Sequence, residues 1–306
     1  MSTFELLLSL FFVMMVGFVC GRVKFLDKAA YKALTRFVFY IATSALIIQA
    51  VSSINVSDFN KFPRFILANC VIVIVGYLLV YVALRLSRVG YKTGASILFA
   101  GNVANSIYLG LPLIKILYGA EGLLYAIAFL AIPLTAADIL GFYILSQWRF
   151  GKTSIGSVLR DFFKNPIVIS TAVGLLLLML KVHLPAFIIT SLDLLGVTAT
   201  GLALFATGLF LSIFITKRFN LRSAVMTSFV KLIFIPAVAL VIGKYIFALS
   251  GTPLFVTVML AAMPSAIFSL IVATEYNFDE RKTADAILLS SVLFLITSTG
   301  WTAILR

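Results

Sequence analysis

The segment Gly101–Pro112 reads G-N-V-A-N-S-I-Y-L-G-L-P. Two asparagines, a serine, two glycines and a proline interrupt an otherwise apolar stretch. Pro112 removes a backbone donor, and Gly101 and Gly110 weaken a helix. Peptide groups freed at membrane depth need protein, water or a ligand. The chemistry on offer is neutral hydrogen bonding by Asn102, Asn105 and Ser106. Bare N–H groups at a half-helix N-terminus would add partial positive charge, which suits a carboxylate. A second interruption, Pro264 in the run P-S-A-I-F-S-L-I of Pro264–Ile271, brings Ser265 and Ser269. The plainer reading is a kinked helix whose asparagines bridge to neighbours.

Few ionisable groups sit deep in apolar sequence. Asp138 stands in A-A-D-I-L-G, and Lys231 lies nine residues beyond Arg222. A charge at such depth is costly and functional by default. Asp138 is the candidate to carry a coupling proton or hold a cation. Lys231 is the candidate to balance it or to attract an anion, unless it snorkels to water. Asp193, Glu275 and Asp285 lie near helix ends and read as solvated caps. Cys20 and Cys70 fall in apolar runs, and His183 is the only histidine. No metal site, cofactor or disulfide is therefore expected.

These residues must be held by membrane helices. Of 306 residues 62% are hydrophobic and 11% charged, with a mean hydropathy of +1.14. Soluble domains carry about 25% charged residues, so a soluble globular protein is excluded. A bilayer span needs ~20 apolar residues, and ten fit. They are read at 4–21, 37–54, 65–84, 94–117, 124–147, 166–184, 194–214, 223–246, 254–274 and 284–304. Glu5 and the lack of an early basic cluster make Met1–Cys20 a retained first helix.

The net charge of +13 belongs to loops on one side and does not indicate nucleic acid. Arg22 to Arg36, Arg85 to Lys92, Arg149 to Lys164, and Lys217, Arg218, Arg222, Arg281 and Lys282 hold 17 of the 24 basic residues. The positive-inside rule makes that side cytoplasmic and puts both termini outside. The connection Gln147–Asn165 divides the chain into two five-span halves, 1–148 and 166–306, joined by 149–165. Because five is odd, a repeated half would be inverted, as in many secondary transporters. A-N-S-I-Y-L-G-L from Ala104 aligns with P-S-A-I-F-S-L-I from Pro264, and Y-I-A-T-S-A-L from Tyr40 pairs loosely with L-G-V-T-A-T-G from Leu195. Gly196, Gly201 and Gly208 follow a small-residue packing pattern.

At these residues the chain resembles the auxin efflux carrier family, along its whole length. The resemblance rests on Val16–Asp27, Asn102–Pro112, Ala262–Tyr276 and Ala286–Phe294. It implies an all-α membrane fold of ten helices in two inverted repeats, with spans four and nine crossing as broken helices beside the substrate. It also implies a scaffold and a moving transport domain, shared with the bile acid–sodium symporters. Bacterial members are associated with malate and malonate, and plant members export the auxin anion. Without the large loop of the plant type, the chain looks like a short bacterial member. Ser44 stands where members often carry a proline in span two.

The expected function is a non-enzymatic secondary transporter of a small organic anion, malate first, by alternating access in the plasma membrane. The binding set is Asn102, Asn105, Ser106, Gly110, Pro112, Pro264, Ser265 and Ser269. The expected partners are the anion, a proton ahead of sodium, the bilayer and a second copy of the chain. Rival readings are a sodium symporter, a passive channel and an intramembrane protease pairing Asp138 with Asp193. The protease lacks a G-x-G-D motif. No G-x-x-x-x-G-K-[ST] loop occurs, so a gradient must supply the energy.

Overall fold

The computed structural model describes residues 3–52, 62–150, 166–182, 184–214 and 219–305. Most of the predicted connection 149–165, together with His183, Lys217 and Arg218 and the side chain of Glu275, lies outside the described part. The described residues form α1 (Thr3–Arg22), α2 (Lys28–Phe37), α3 (Thr43–Ser52), α4 (Phe62–Leu86), α5 (Tyr91–Asn102), α6 (Leu111–Phe129) and α7 (Thr135–Phe150). There follow α8 (Pro166–Met179), α9 (Ala186–Phe214), α10 (Leu221–Phe229), α11 (Ile235–Val241), α12 (Gly251–Ala262), α13 (Phe268–Glu275) and α14 (Glu280–Leu305).

Among the described residues six helical runs are long and apolar enough to cross a membrane: Lys28–Ser52, Phe62–Leu86, Ser106–Arg149, Ala186–Ile213, Leu221–Ile246 and Glu280–Leu305. Three shorter apolar helices are Leu8–Arg22, Pro166–Met179 and Gly251–Ala262. Large apolar side chains stay exposed along them, among them Phe12 at 69%, Leu194 at 68% and Ile296 at 74%. Water would penalise such surfaces and lipid tails do not.

Two sequence boundaries move. The second span was expected from residue 37, but its helix begins at Lys28, capped by the Asp27 carboxylate, which accepts the Ala30 N–H at 2.9 Å. Lys28, Lys32 and Arg36 recur every four residues and share the exposed side of α2. The basic residues read as a loop are thus the polar face of an amphipathic helix. The run Ser106–Arg149, in turn, is bent at Gly119, whose φ of 58° is left-handed. Only glycine adopts that conformation without strain, so this residue marks the turn between the predicted fourth and fifth spans.

Prolines accompany three of the π turns among the described residues. A proline at i leaves the carbonyl at i−4 without its donor and crowds the preceding turn. Pro112 follows the π turn Ser106–Gly110, Pro133 sits in Leu130–Leu134, and Pro236 follows Val230–Phe234. The carbonyl that Pro236 frees is that of Leu232. The Trp301 indole N–H, from α14, donates to it at 2.8 Å. A further π turn, Val38–Ala42, shapes the second span, where Ser44 replaces the proline of the family pattern.

The chain divides into two compact units, each drawing on both halves of the sequence. The first takes Met1–Pro63, Ile107–Ala131 and Phe163–Phe214. Within it α1 and α9 pack closely enough that a Cβ on Gly17 would strike the Phe205 carbonyl, and one on Gly208 the Met14 carbonyl. Gly196 sits against the backbone of Leu46. Gly201 faces open space, so it takes no part in the packing pattern expected of it. The second unit takes Arg64–Ser106, Ile132–Phe162 and Ile215–Arg306. Its core centres on Phe99, whose ring lies 5.6 Å from Phe142, 6.3 Å from Phe268 and 6.4 Å from Phe278.

Gly208→Ala is expected to lower the thermal unfolding temperature of the purified protein, by overpacking worth about 1–3 kcal/mol. Gly201→Ala should leave that temperature unchanged or raise it slightly, since its only effect is a gain in helix propensity of at most ~1 kcal/mol.

Candidate functional site

Two breaks in helical structure meet within the second unit. α5 stops at Asn102, and the chain resumes helical form at Ser106. α12 stops at Ala262 and α13 begins at Phe268. Across the gap the Asn105 N–H donates to the Pro264 carbonyl at 2.8 Å, and the Ala266 N–H to the Val103 carbonyl at 3.0 Å. Ala104 and Ser265 thereby face each other as an antiparallel pair. The break in the first helix is therefore at Val103–Asn105, several residues before Pro112. The proline that does lie in a break is Pro264.

The second break is the longer, spanning Met263–Ile267 against Val103–Asn105.

Backbone groups freed by the second break find specific partners. In a continuous helix the Ala261 carbonyl would accept the Ser265 N–H. Here the Ser265 N–H donates to Ser290 Oγ on α14 at 3.1 Å, and Ser290 Oγ lies 3.2 Å from the Ile287 carbonyl. The Lys231 ammonium, fully buried, donates to the Ala261 carbonyl at 2.7 Å. A cation at a helix C-terminus also meets the negative end of the dipole. The sequence assigned Lys231 to Asp138 or to an anion, but neither role matches its observed contact. Asn69 of α4 ties down the same broken helix, its Nδ2 donating to Thr257 Oγ1 at 3.0 Å.

Several of the predicted residues converge. Ser106, Ser265 and Ser269 are each wholly buried, and their hydroxyls have no partner among the described residues. Asn105 is 3% exposed, and its side-chain amide makes no hydrogen bond among those residues. Among the described residues the N–H groups of Ile267 and Phe268, where the second break gives way to α13, have no carbonyl partner either. Buried polar groups are nearly always paired, so such a cluster needs an explanation. Its contents are neutral donors around two helix ends.

Other predicted residues stand apart. Asn102 donates from Nδ2 to the Leu98 carbonyl of its own helix at 2.8 Å, and its Oδ1 looks over Gly76 of α4. Gly110 and Pro112 belong to the first unit. Asp138 lies on α7, partly buried, with Oδ1 enclosed and unpaired. Asp285 is not a solvated cap: it is 2% exposed, and its Oδ2 accepts the Asn220 N–H at 2.8 Å at the start of α10. Ser290 was missed by sequence reading. It belongs to the quoted A-I-L-L-S-S-V-L-F run, but nothing in that run distinguishes it from Ser291. Tyr77, with a buried and unpaired hydroxyl, was missed as well.

A family model described as a membrane transport protein matches residues 2–302. The chain belongs to the auxin efflux carrier family. Carrier relatives cover nearly its whole length. An uncharacterized transporter of Methanocaldococcus jannaschii is 29% identical, with 98% of each chain aligned. A putative malonate transporter of Rhizobium meliloti is 25% identical over 98% of this chain and 95% of its own. Auxin efflux carrier component 8 of Arabidopsis thaliana is 22% identical over 95% and 94%. The carrier is thus a multi-pass membrane protein of a transporter family.

Ser290→Ala is expected to leave the Ser265 N–H orphaned, at a cost of about 1–3 kcal/mol. Ser291→Ala removes a hydroxyl that bonds only to the Ile287 carbonyl of its own helix. Thermal unfolding of the two variants in detergent should show a clearly larger loss for Ser290→Ala.

Proposed function

We propose that this carrier is a secondary transporter of small dicarboxylates, malonate or malate, working by alternating access and driven by protons. The observation that carries the reading is the meeting of the two helix breaks, where the buried Ser106, Ser265 and Ser269 hydroxyls lie unpaired among the described residues beside the nearly buried Asn105. An anion taken there would meet neutral hydroxyl and amide donors and a helix N-terminus, and the Lys231 ammonium, held on the Ala261 carbonyl at the edge of the same break, would add its charge from behind. Asp138 is the group left to carry a proton. The malonate relative supports the substrate class, and its identity is low enough to leave malate equally in view.

The same reading places ten crossings in the plasma membrane as two inverted halves, with both termini outside. The charge bias of the loops supports it, and so does the helix–break–helix form of α5 and of α12–α13. A buried crossing that opens alternately to each side needs no nucleotide and no covalent step.

In liposomes the purified protein is expected to take up labelled malonate or malate saturably, faster with an inward proton gradient and unchanged by sodium. Uptake that requires sodium would replace the proton as the coupling ion. No uptake under either gradient would withdraw dicarboxylates as substrates. Asn105→Ala should slow uptake about tenfold or more, equivalent to roughly 1.4 kcal/mol of lost binding. Its unfolding temperature should hold, because the Asn105 side chain makes no hydrogen bond that stabilises the fold.

A further inference from the structure

A phenol and a carboxyl meet inside the second unit. Tyr77 of α4 is 1% exposed, and its hydroxyl has no hydrogen-bond partner among the described residues. Asp138 of α7 has its Oδ1 enclosed and likewise unpaired. The two helices bring them to the same turn of α7. Gly141 lies one turn beyond Asp138 on the same face of α7. A Cβ on Gly141 would stand 2.5 Å from the Tyr77 hydroxyl oxygen and 2.9 Å from Phe99 Cε2. The glycine is therefore what admits the hydroxyl to this turn of α7. Phenylalanine would fill the ring space as well as tyrosine does, so packing alone does not account for the hydroxyl.

The surroundings leave Asp138 no other ionic partner. No Lys or Arg among the described residues forms an ion pair with it. On α4, Tyr81 and Arg85 lie against Trp148, far along α7 from Asp138. Tyr91 of α5 also packs on Trp148 and donates to the Tyr276 carbonyl, and Lys92 follows it at the same end of α5. Tyr276 stacks on Phe142. Lys231 is held by the Ala261 carbonyl. Tyr77 is the titratable group whose hydroxyl sits at the Asp138–Gly141 turn of α7.

We propose that Tyr77 is the positioning residue of Asp138, its hydroxyl donating a hydrogen bond to the carboxyl group once the Asp138 side chain turns toward it. This rests on the reading of Asp138 as the coupling group. The carboxylate takes one proton from a hydronium ion and leaves water, and the reverse step returns it. Tyr77 keeps its own proton throughout. A rotation of the Asp138 side chain closes the pair, and the hydrogen bond then holds the acid in one orientation in an interior where a free carboxyl would turn. The phenol ring, locked by Gly141 and Phe99, supplies the fixed end.

The test is the infrared difference spectrum of the full-length protein in lipid vesicles, recorded between acid and alkaline pH without substrate. The protonated Asp138 carbonyl stretch is the band that Asp138→Asn removes. In Tyr77→Phe that band is expected to move to higher wavenumber, because a carbonyl that loses its donor stiffens. Gly141→Ala, which displaces the hydroxyl by a different route, should produce the same upward shift. A band that Asp138→Asn removes but that neither Tyr77→Phe nor Gly141→Ala moves would overturn the pairing and leave Asp138 as the coupling group. No band lost in Asp138→Asn would overturn both. Dicarboxylate uptake is measured separately on the unsubstituted protein. Its failure alongside a shifted band would withdraw the substrate and keep the pair.

Discussion

Two backbone hydrogen bonds, Asn105 N–H to Pro264 and Ala266 N–H to Val103, hold together the part of the molecule on which its chemistry depends. Helices in an apolar medium stay helical because every peptide group must find a partner. A helix can be interrupted there only if something else meets the groups that the interruption frees. In this carrier the two interrupted helices meet that demand for one another, by forming a single antiparallel pair at Ala104 and Ser265. Neither break would be stable without the other. The remaining freed groups are taken up one by one: Ser265 N–H by Ser290, and the Ala261 carbonyl by Lys231. What is left unclaimed, the three serine hydroxyls and the Asn105 amide, has the chemistry of a binding site for a small anion.

The same demand explains the treatment of proline. Pro112, Pro133 and Pro236 sit within or just beyond π turns of helices that continue, whereas Pro264 sits in a break. The difference lies in what surrounds each residue. Where a neighbouring helix can donate to the orphaned carbonyl, as Trp301 does to Leu232, the helix needs only to widen by a turn. Where a second unwound segment lies opposite, the helix can stop and restart.

Charge is handled with similar economy. Of the deep ionisable residues, Lys231 serves as a helix cap and Asp285 holds the start of α10. These two have structural partners, and they stabilise the unit by satisfying backbone groups. Asp138 has no partner of that kind among the described residues, which sets it apart from the other two.

Much of this was legible in the sequence. Composition alone required a membrane protein, since 62% hydrophobic residues cannot be hidden inside a soluble fold of this size. The polar and helix-weakening residues at Gly101–Pro112 and the proline at Pro264 located both interruptions, and the motif set identified the family. Those features are local: they depend on what each residue does to its own backbone. The tertiary structure decided the rest, because it depends on what stands opposite. Whether Pro112 or Val103–Asn105 marks the break is set by where Pro264–Ala266 pairs. Whether Lys231 faces a substrate or a carbonyl is set by the end of α12. Ser290 differs from Ser291 only because it faces the Ser265 N–H, and Tyr77 is distinguished by a buried, unpaired hydroxyl set against Gly141. Hydrogen-bond partners distant in the chain leave no trace in local spacing, so no reading of the sequence alone could have assigned them.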